Sequence, residues 1–159
     1  MIQPNDDRRK YSRFEMGAKI YFQVIYPFET RIEYKILENK QNPSSQEKHS
    51  ALSKNISVEG LCFTSRHKLE AGNKILLDVY LPDQSEPLQM VGEARWSKMN
   101  SAGIKQGTTF DTGIKLLSVK EQSVTESVYF DQENRIIWSV VLESVFGGFR
   151  KFSQRIKSL

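Results

Sequence analysis

A single cysteine, Cys62, stands in a chain of 159 residues. No intramolecular disulfide can form, which excludes a cross-linked small scaffold. Within GLCFTS the thiol is expected to be a small buried hydrophobe. Histidine is nearly as scarce. His49 and His67 are the only two; both fall in polar stretches read as turns, without further ligands at metal spacing, so no metal site is expected. No apolar run approaches the roughly 18 residues needed to span a bilayer. The opening MIQPNDDRRK has no apolar core of a secretory signal, and the expected location is cytoplasmic. A glycine-rich phosphate loop followed by Lys-Ser/Thr is also missing, and acids such as Asp6 and Asp7 are scattered rather than paired for acid–base work.

Excess charge of one sign is confined to one place. The formal net charge is +4. Arg150, Lys151, Arg155 and Lys157 supply it, with no acid from Phe146 to Leu159. The rest of the chain carries 19 acids and as many basic side chains. A neutral body offers no broad phosphate-tracking surface, so no nucleic-acid partner is expected.

What is present is a series of short strand-like runs. AKIYFQVIY, from Ala18 to Tyr26, is rich in β-branched and aromatic residues. Arg31–Leu37 either continues it or forms a second strand. ENKQNPSSQEKHS, from Glu38 to Ser50, reads as an exposed loop. Further strands are expected at Ala51–Ile56, Leu61–Ser65, Lys74–Leu81, Leu88–Ser97 and Thr108–Leu116, separated by turn signals such as Glu70-Ala71-Gly72-Asn73 and Pro82-Asp83. Such spacing predicts an all-β barrel or sandwich.

Two short motifs punctuate this pattern. Arg8-Arg9-Lys10-Tyr11-Ser12-Arg13 has the form RRxxxR, and Asn55-Ile56-Ser57-Val58-Glu59-Gly60 the form NxSxxG. An arginine fork can grip phosphate oxygens, pair with guanine O6 and N7, or stack on a base. Asn55 and Ser57, two apart, share one face of a strand and can address a base edge. Gly60 marks positive φ or a close backbone approach to a ligand. Alone, RRKYSR is a solvated basic arm and NISVEG a strand end; function rests on their combination.

Together the motifs resemble the PilZ domain, a bacterial receptor for cyclic di-GMP. AGNKILLDVYLP, GEARWSK and TGIKL are similar to later strands of that family, and the resemblance runs from Arg8 to about Phe130. It implies a mainly β fold, an antiparallel six-stranded PilZ-type barrel with C-terminal α-helices. It implies that Arg8, Arg9 and Arg13 lie on a flexible arm folding over the ligand, with Asn55 and Ser57 contacting guanine and Gly60 making the turn. Asn55 departs from the more frequent Asp; the amide keeps the acceptor oxygen but carries less charge. Arg8, directly before RxxxR, implies two intercalated cyclic di-GMP molecules per chain. No other cofactor is expected, and a downstream protein partner follows from the receptor role.

The expected organisation is an arm over 1–17, a barrel over 18–130 and a helical, basic extension over 131–159. Ser118 with Glu121 suggests a capping box and a helix to about Phe130. A second helix is expected from Asp131 to Phe146, with Ile136, Ile137, Val140, Val141, Ser144 and Val145 on one side. Beyond Gly147-Gly148, FRKFSQRIKSL places Phe149, Phe152, Ile156 and Leu159 on one face. Docking on the barrel or on a second subunit, giving a homo-oligomer, is favoured there over contact with a membrane surface.

Three other readings compete. Asp111-Thr112-Gly113 carries the aspartic-protease triplet, but such enzymes need two carboxylates sharing a proton, and Ile114 stands where a small residue is usual. A structural module assembling through its C-terminal helices would not need the two motifs. A single-strand-binding barrel would use aromatics such as Tyr21, Phe22 and Tyr26 for stacking; strand aromatics are more often core. The expectation is a receptor and adaptor without catalysis.

Overall fold

Alternation of apolar and polar residues builds the walls of a barrel. The computed structural model describes residues 24–37, 47–100 and 107–147. Arg8, Arg9 and Arg13 lie outside these residues, as do most of the Ala18–Tyr26 run, the 38–46 part of the expected loop and the basic segment from 148 onward. Within the described residues β1 (Tyr26–Pro27) precedes six longer strands: β2 (Arg31–Ile36), β3 (His49–Ile56), β4 (Gly60–Ser65), β5 (Lys74–Val79), β6 (Leu88–Asn100) and β7 (Thr109–Val119). All pairings are antiparallel, in the order β3-β2-β5-β6-β7-β4, and β4 pairs back onto β3. The sheet therefore closes as a six-stranded barrel, and closure removes the unpaired edges that invite aggregation.

Every second residue points inward. Ile32 and Tyr34 from β2, Ile75, Leu77 and Val79 from β5, Leu61 and Phe63 from β4, and Ile114 and Leu116 from β7 are buried. Tyr34 and Phe63 stack inside, their ring centroids 5.0 Å apart, and the Tyr34 hydroxyl meets Ser65 Oγ at 3.2 Å. His49 is not a turn residue: it opens β3, beside Tyr34 and 4.1 Å from the His67 ring. Burial, followed by the neighbouring His67, pushes its imidazole below the ordinary value. No group of three or more His, Cys, Asp or Glu side chains able to hold a metal occurs among the described residues. None of their helices is long and apolar enough to cross a membrane.

The expected helix after Ser118 does not form. Ser118 pairs with Val91 on one side and Ser123 on the other, so its backbone is committed to a hairpin. Lys120 and Glu121 turn the chain with φ of 50° and 69°, the left-handed pair that two-residue hairpins use. Strand β8 (Gln122–Ser123) follows, then one helical turn, α1 (Val124–Ser127). The cap is Ser123, whose side chain accepts from Glu126 N, rather than Ser118.

The second expected helix is half right. Its first part is a hairpin of β9 (Tyr129–Asp131) and β10 (Ile136–Trp138). Asp131 Oδ1 accepts from the Glu133 and Asn134 amides, and Arg135 adopts φ 56°. A side chain that offers the backbone local hydrogen bonds competes with the helix. Helix α2 then occupies 140–147. Ile137, Trp138, Val141 and Leu142 join the barrel core as one hydrophobic cluster.

Candidate functional site

A cavity of about 380 Å³ opens on the outer face of the barrel where β3, β4, β6 and β7 meet. Asn55, Ser57 and Gly60 line it together, facing Arg95, Trp96 and Lys115. Simple alternation would not bring these side chains out. Ser53 points into the barrel and is buried, so Asn55, two residues on, would point inward on a regular strand. Instead the register jumps from Ser53↔Phe63 to Asn55↔Cys62, with Lys54 the extra residue of a β-bulge. Buried Ser53 holds the strand just before it: Oγ donates to Phe28 O at 2.5 Å and accepts from Thr30 N at 2.8 Å.

The opposite wall repeats the device. Ala94 pairs with Ile114 and is buried, but the next pair is Trp96↔Gly113, leaving Arg95 as the extra residue. Arg95 and Trp96 are consequently both exposed, and the indole lies against the Gly113 backbone. A Cβ at Gly113 would come within 2.4 Å of the indole Nε1 and Cε2. Only glycine leaves that seat open. Gly60, by contrast, does not have positive φ. Its need for a small residue is packing, since a Cβ there would sit 3.2 Å from Ile114 O and 3.3 Å from Ser57 Oγ.

The profile of the PilZ domain family matches residues 7–127. The chain belongs to the PilZ domain family. PilZ domains form a class of cyclic di-GMP-binding adaptors rather than enzymes. No curated protein matches the chain. Among solved structures it is similar to the Bacillus subtilis inhibitor of motility (MotI/DgrA), at 13% identity and a TM-score of 0.47. That likeness covers 65% of this chain and 46% of the other, so the chain spans less than half the length of that protein.

The charged side chains lining this PilZ cavity are Arg95, Lys115 and the buried Glu59. Arg95 lies 4.0 Å from Glu93, and Lys54 Nζ 2.9 Å from Asp111 Oδ2. An exposed pair as long as Arg95–Glu93 contributes ~0–1 kcal/mol, so an anionic group can recruit Arg95 at small cost. Asp111 also accepts from Thr64 Oγ1 at 2.6 Å and Asn100 Nδ2 at 3.2 Å. Burial pushes its carboxyl up, but the hydrogen bonds from Thr64, Lys54 and Asn100, with the Lys54 charge, outweigh burial and hold it below the ordinary value. A carboxylate fixed in the ionised form, tied to three donors, is a brace for the sheet face. The protease triplet thus resolves into a brace, Asp111, and a seat for Trp96, Gly113.

Cys62 is not in the core. It is half-buried and lines the cavity, while Leu61 and Phe63 on either side point inward; burial pushes its thiol up. Arg95, Trp96 and Lys115 were not expected as site residues. GEARWSK contains the first two, but period-two alternation puts Trp96 on the same face as Ala94. The bulge reverses it, and no local signal marks the bulge.

Proposed function

We propose that this PilZ protein is a cyclic di-GMP receptor whose ligand lies over the Asn55–Gly60 face. Asn55 and Ser57 address guanine edges, since an amide and a hydroxyl can each match a donor or acceptor there. Trp96 offers an exposed indole face for base stacking, a contact worth ~1–3 kcal/mol per base. Arg95 and Lys115 attract the phosphates, and Arg8, Arg9 and Arg13 close over the ligand from the N-terminal arm. Arg8 adds the guanidinium that suits two stacked ligand molecules with four phosphate charges, so two ligands per chain are expected. Ordering the arm opposes part of the gain, and the rearranged surface is read by a downstream protein.

The observation that supports this most is the convergence of Asn55 and Ser57 with an exposed Trp96 and two cations on one cavity. Calorimetric titration with cyclic di-GMP tests it. Saturable binding, micromolar or tighter, is expected, weakened by ~1.5–3 kcal/mol in Arg9→Ala or Arg13→Ala. Saturation at one ligand per chain would remove Arg8 from the site. No heat and no competition at high ligand concentration would overturn the receptor reading and favour a structural module.

A further inference from the structure

The residues between Ser57 and Gly60 are held from behind by the C-terminal part of the chain, beyond the stretch that the family profile matches. Ser139 Oγ donates to Val58 O at 2.6 Å, across 81 positions of sequence. Both ends of this bond are shut away from water: Ser139 is 1% exposed and Val58 2%. Ser139 also begins α2. Its Oγ accepts from Val141 N at 3.2 Å and its carbonyl from Glu143 N at 2.9 Å, which is N-cap geometry. One buried hydroxyl therefore joins the start of a helix to the middle of the ligand motif.

The peptide it grips is the central one of a tight connection. Ser57 N donates to Gly60 O at 2.8 Å, leaving Val58 and Glu59 as the tight connection between β3 and β4. The central peptide of such a connection can turn over with little displacement of its neighbours, as the difference between type I and type II turns illustrates. Engaging Val58 O sets one orientation. Because the peptide is trans and planar, the Glu59 N–H is directed the opposite way, away from Ser139. The same helix touches the motif a second time. Phe146 packs on Tyr26 and Phe28, with centroids 5.5 Å and 6.1 Å away, and Tyr26–Pro27 pairs with Ile56 and Asn55.

We propose that Ser139 is a positioning residue for the ligand segment, and that through Val58 it couples occupancy of the cavity to the packing of helix α2. This rests on the cyclic di-GMP reading above. Coupling of this kind is reciprocal: whatever the helix does for the ligand, the ligand does for the helix.

The test compares the intact chain with Ser139→Ala and Ser127→Ala. Ser127 Oγ accepts from Val140 N at 3.0 Å, so its loss weakens the same helix start without touching Val58. Ser139→Ala should bind cyclic di-GMP about five-fold more weakly, and Ser127→Ala within about twofold of the intact chain. Ligand should slow amide exchange over 140–147 in the intact chain and not in Ser139→Ala. If folding of Ser139→Ala is impaired, Ser139→Cys fills the same space with a weaker donor and should show a smaller loss in the same direction. Equal affinity in both alanine variants, or equal weakening, would overturn the proposal. If the intact chain binds no cyclic di-GMP, the receptor reading falls by itself, and ligand-free exchange then decides. Faster exchange at Glu59 and Gly60 in Ser139→Ala but not in Ser127→Ala retains the positioning role; unchanged exchange there removes it.

Discussion

On the wall formed by β2 and β5 the cross-strand register runs unbroken from Ile32↔Val79 to Ile36↔Ile75. On the wall of β3, β4, β7 and β6 it breaks between Ser53 and Asn55, between Val91 and Gly92 and again between Ala94 and Trp96. The regular wall presents a self-satisfied polar surface. Arg31 lies 3.8 Å over the Tyr80 ring and bonds Glu33 at 3.0 Å, Tyr80 donates to Glu33, and Lys48 meets Asp78 at 3.2 Å. The irregular wall presents an exposed indole, a half-buried thiol and a cavity. The strands have the same kind of apolar alternation on both sides, so composition does not separate them. One extra residue per strand does, because a pleat has period two and a single insertion reverses every side chain after it.

The largest expected effect attacks the seat of the irregular wall. Gly113→Val places a side chain where the Trp96 indole lies, and overpacking should cost ~1–3 kcal/mol in thermal or denaturant unfolding. Ligand binding should fall with it, with a change in Trp fluorescence. Unaltered stability and binding would show that the indole does not depend on that seat.

Trp96→Ala separates binding from folding. Trp96 is 43% exposed, so its removal should change the unfolding midpoint little while weakening cyclic di-GMP by ~1–3 kcal/mol. Equal affinity by calorimetry would limit the ligand to the Asn55 side of the cavity.

Asp111→Asn tests the brace. Asp111 has its folded-state value depressed, so its contribution to stability is present above the ordinary carboxylate range and is lost as pH falls through the folded value. The pairing is partly exposed, and the cost near neutral pH should be no more than ~1 kcal/mol. Unfolding of the variant should depend less on acid pH than that of the intact chain. Parallel pH profiles for the two would show that other carboxylates set the acid limb.

The smallest effect belongs to the regular wall. Asp78→Asn removes the partner of an exposed Lys48 and should change stability by less than ~0.5 kcal/mol, with ligand affinity unchanged. A clear loss of affinity would mean that the two walls are not independent.

Barrel strands were legible because burial and alternation are local. β2 to β7 begin and end within a few residues of the expected runs, since each carries its own period-two pattern. The paired motifs were legible for a related reason: residue types at fixed short spacings survive any arrangement of the rest. The segment after Ser118 was not, because Ser118 and Asp131 can cap a helix or close a hairpin with nearly the same local chemistry. Cross-strand partners at Val91 and Phe130↔Ile137 tipped the balance. Trp96, Arg95, Lys115 and Ser139 belong to tertiary structure alone. A bulge is set by what the neighbouring strand offers, and a hydroxyl 81 residues from Val58 reaches it only after the barrel has closed. Short-range pattern thus determined the barrel and the motif, while long-range contact decided which side chains surround the cavity beside that motif and what holds it in place.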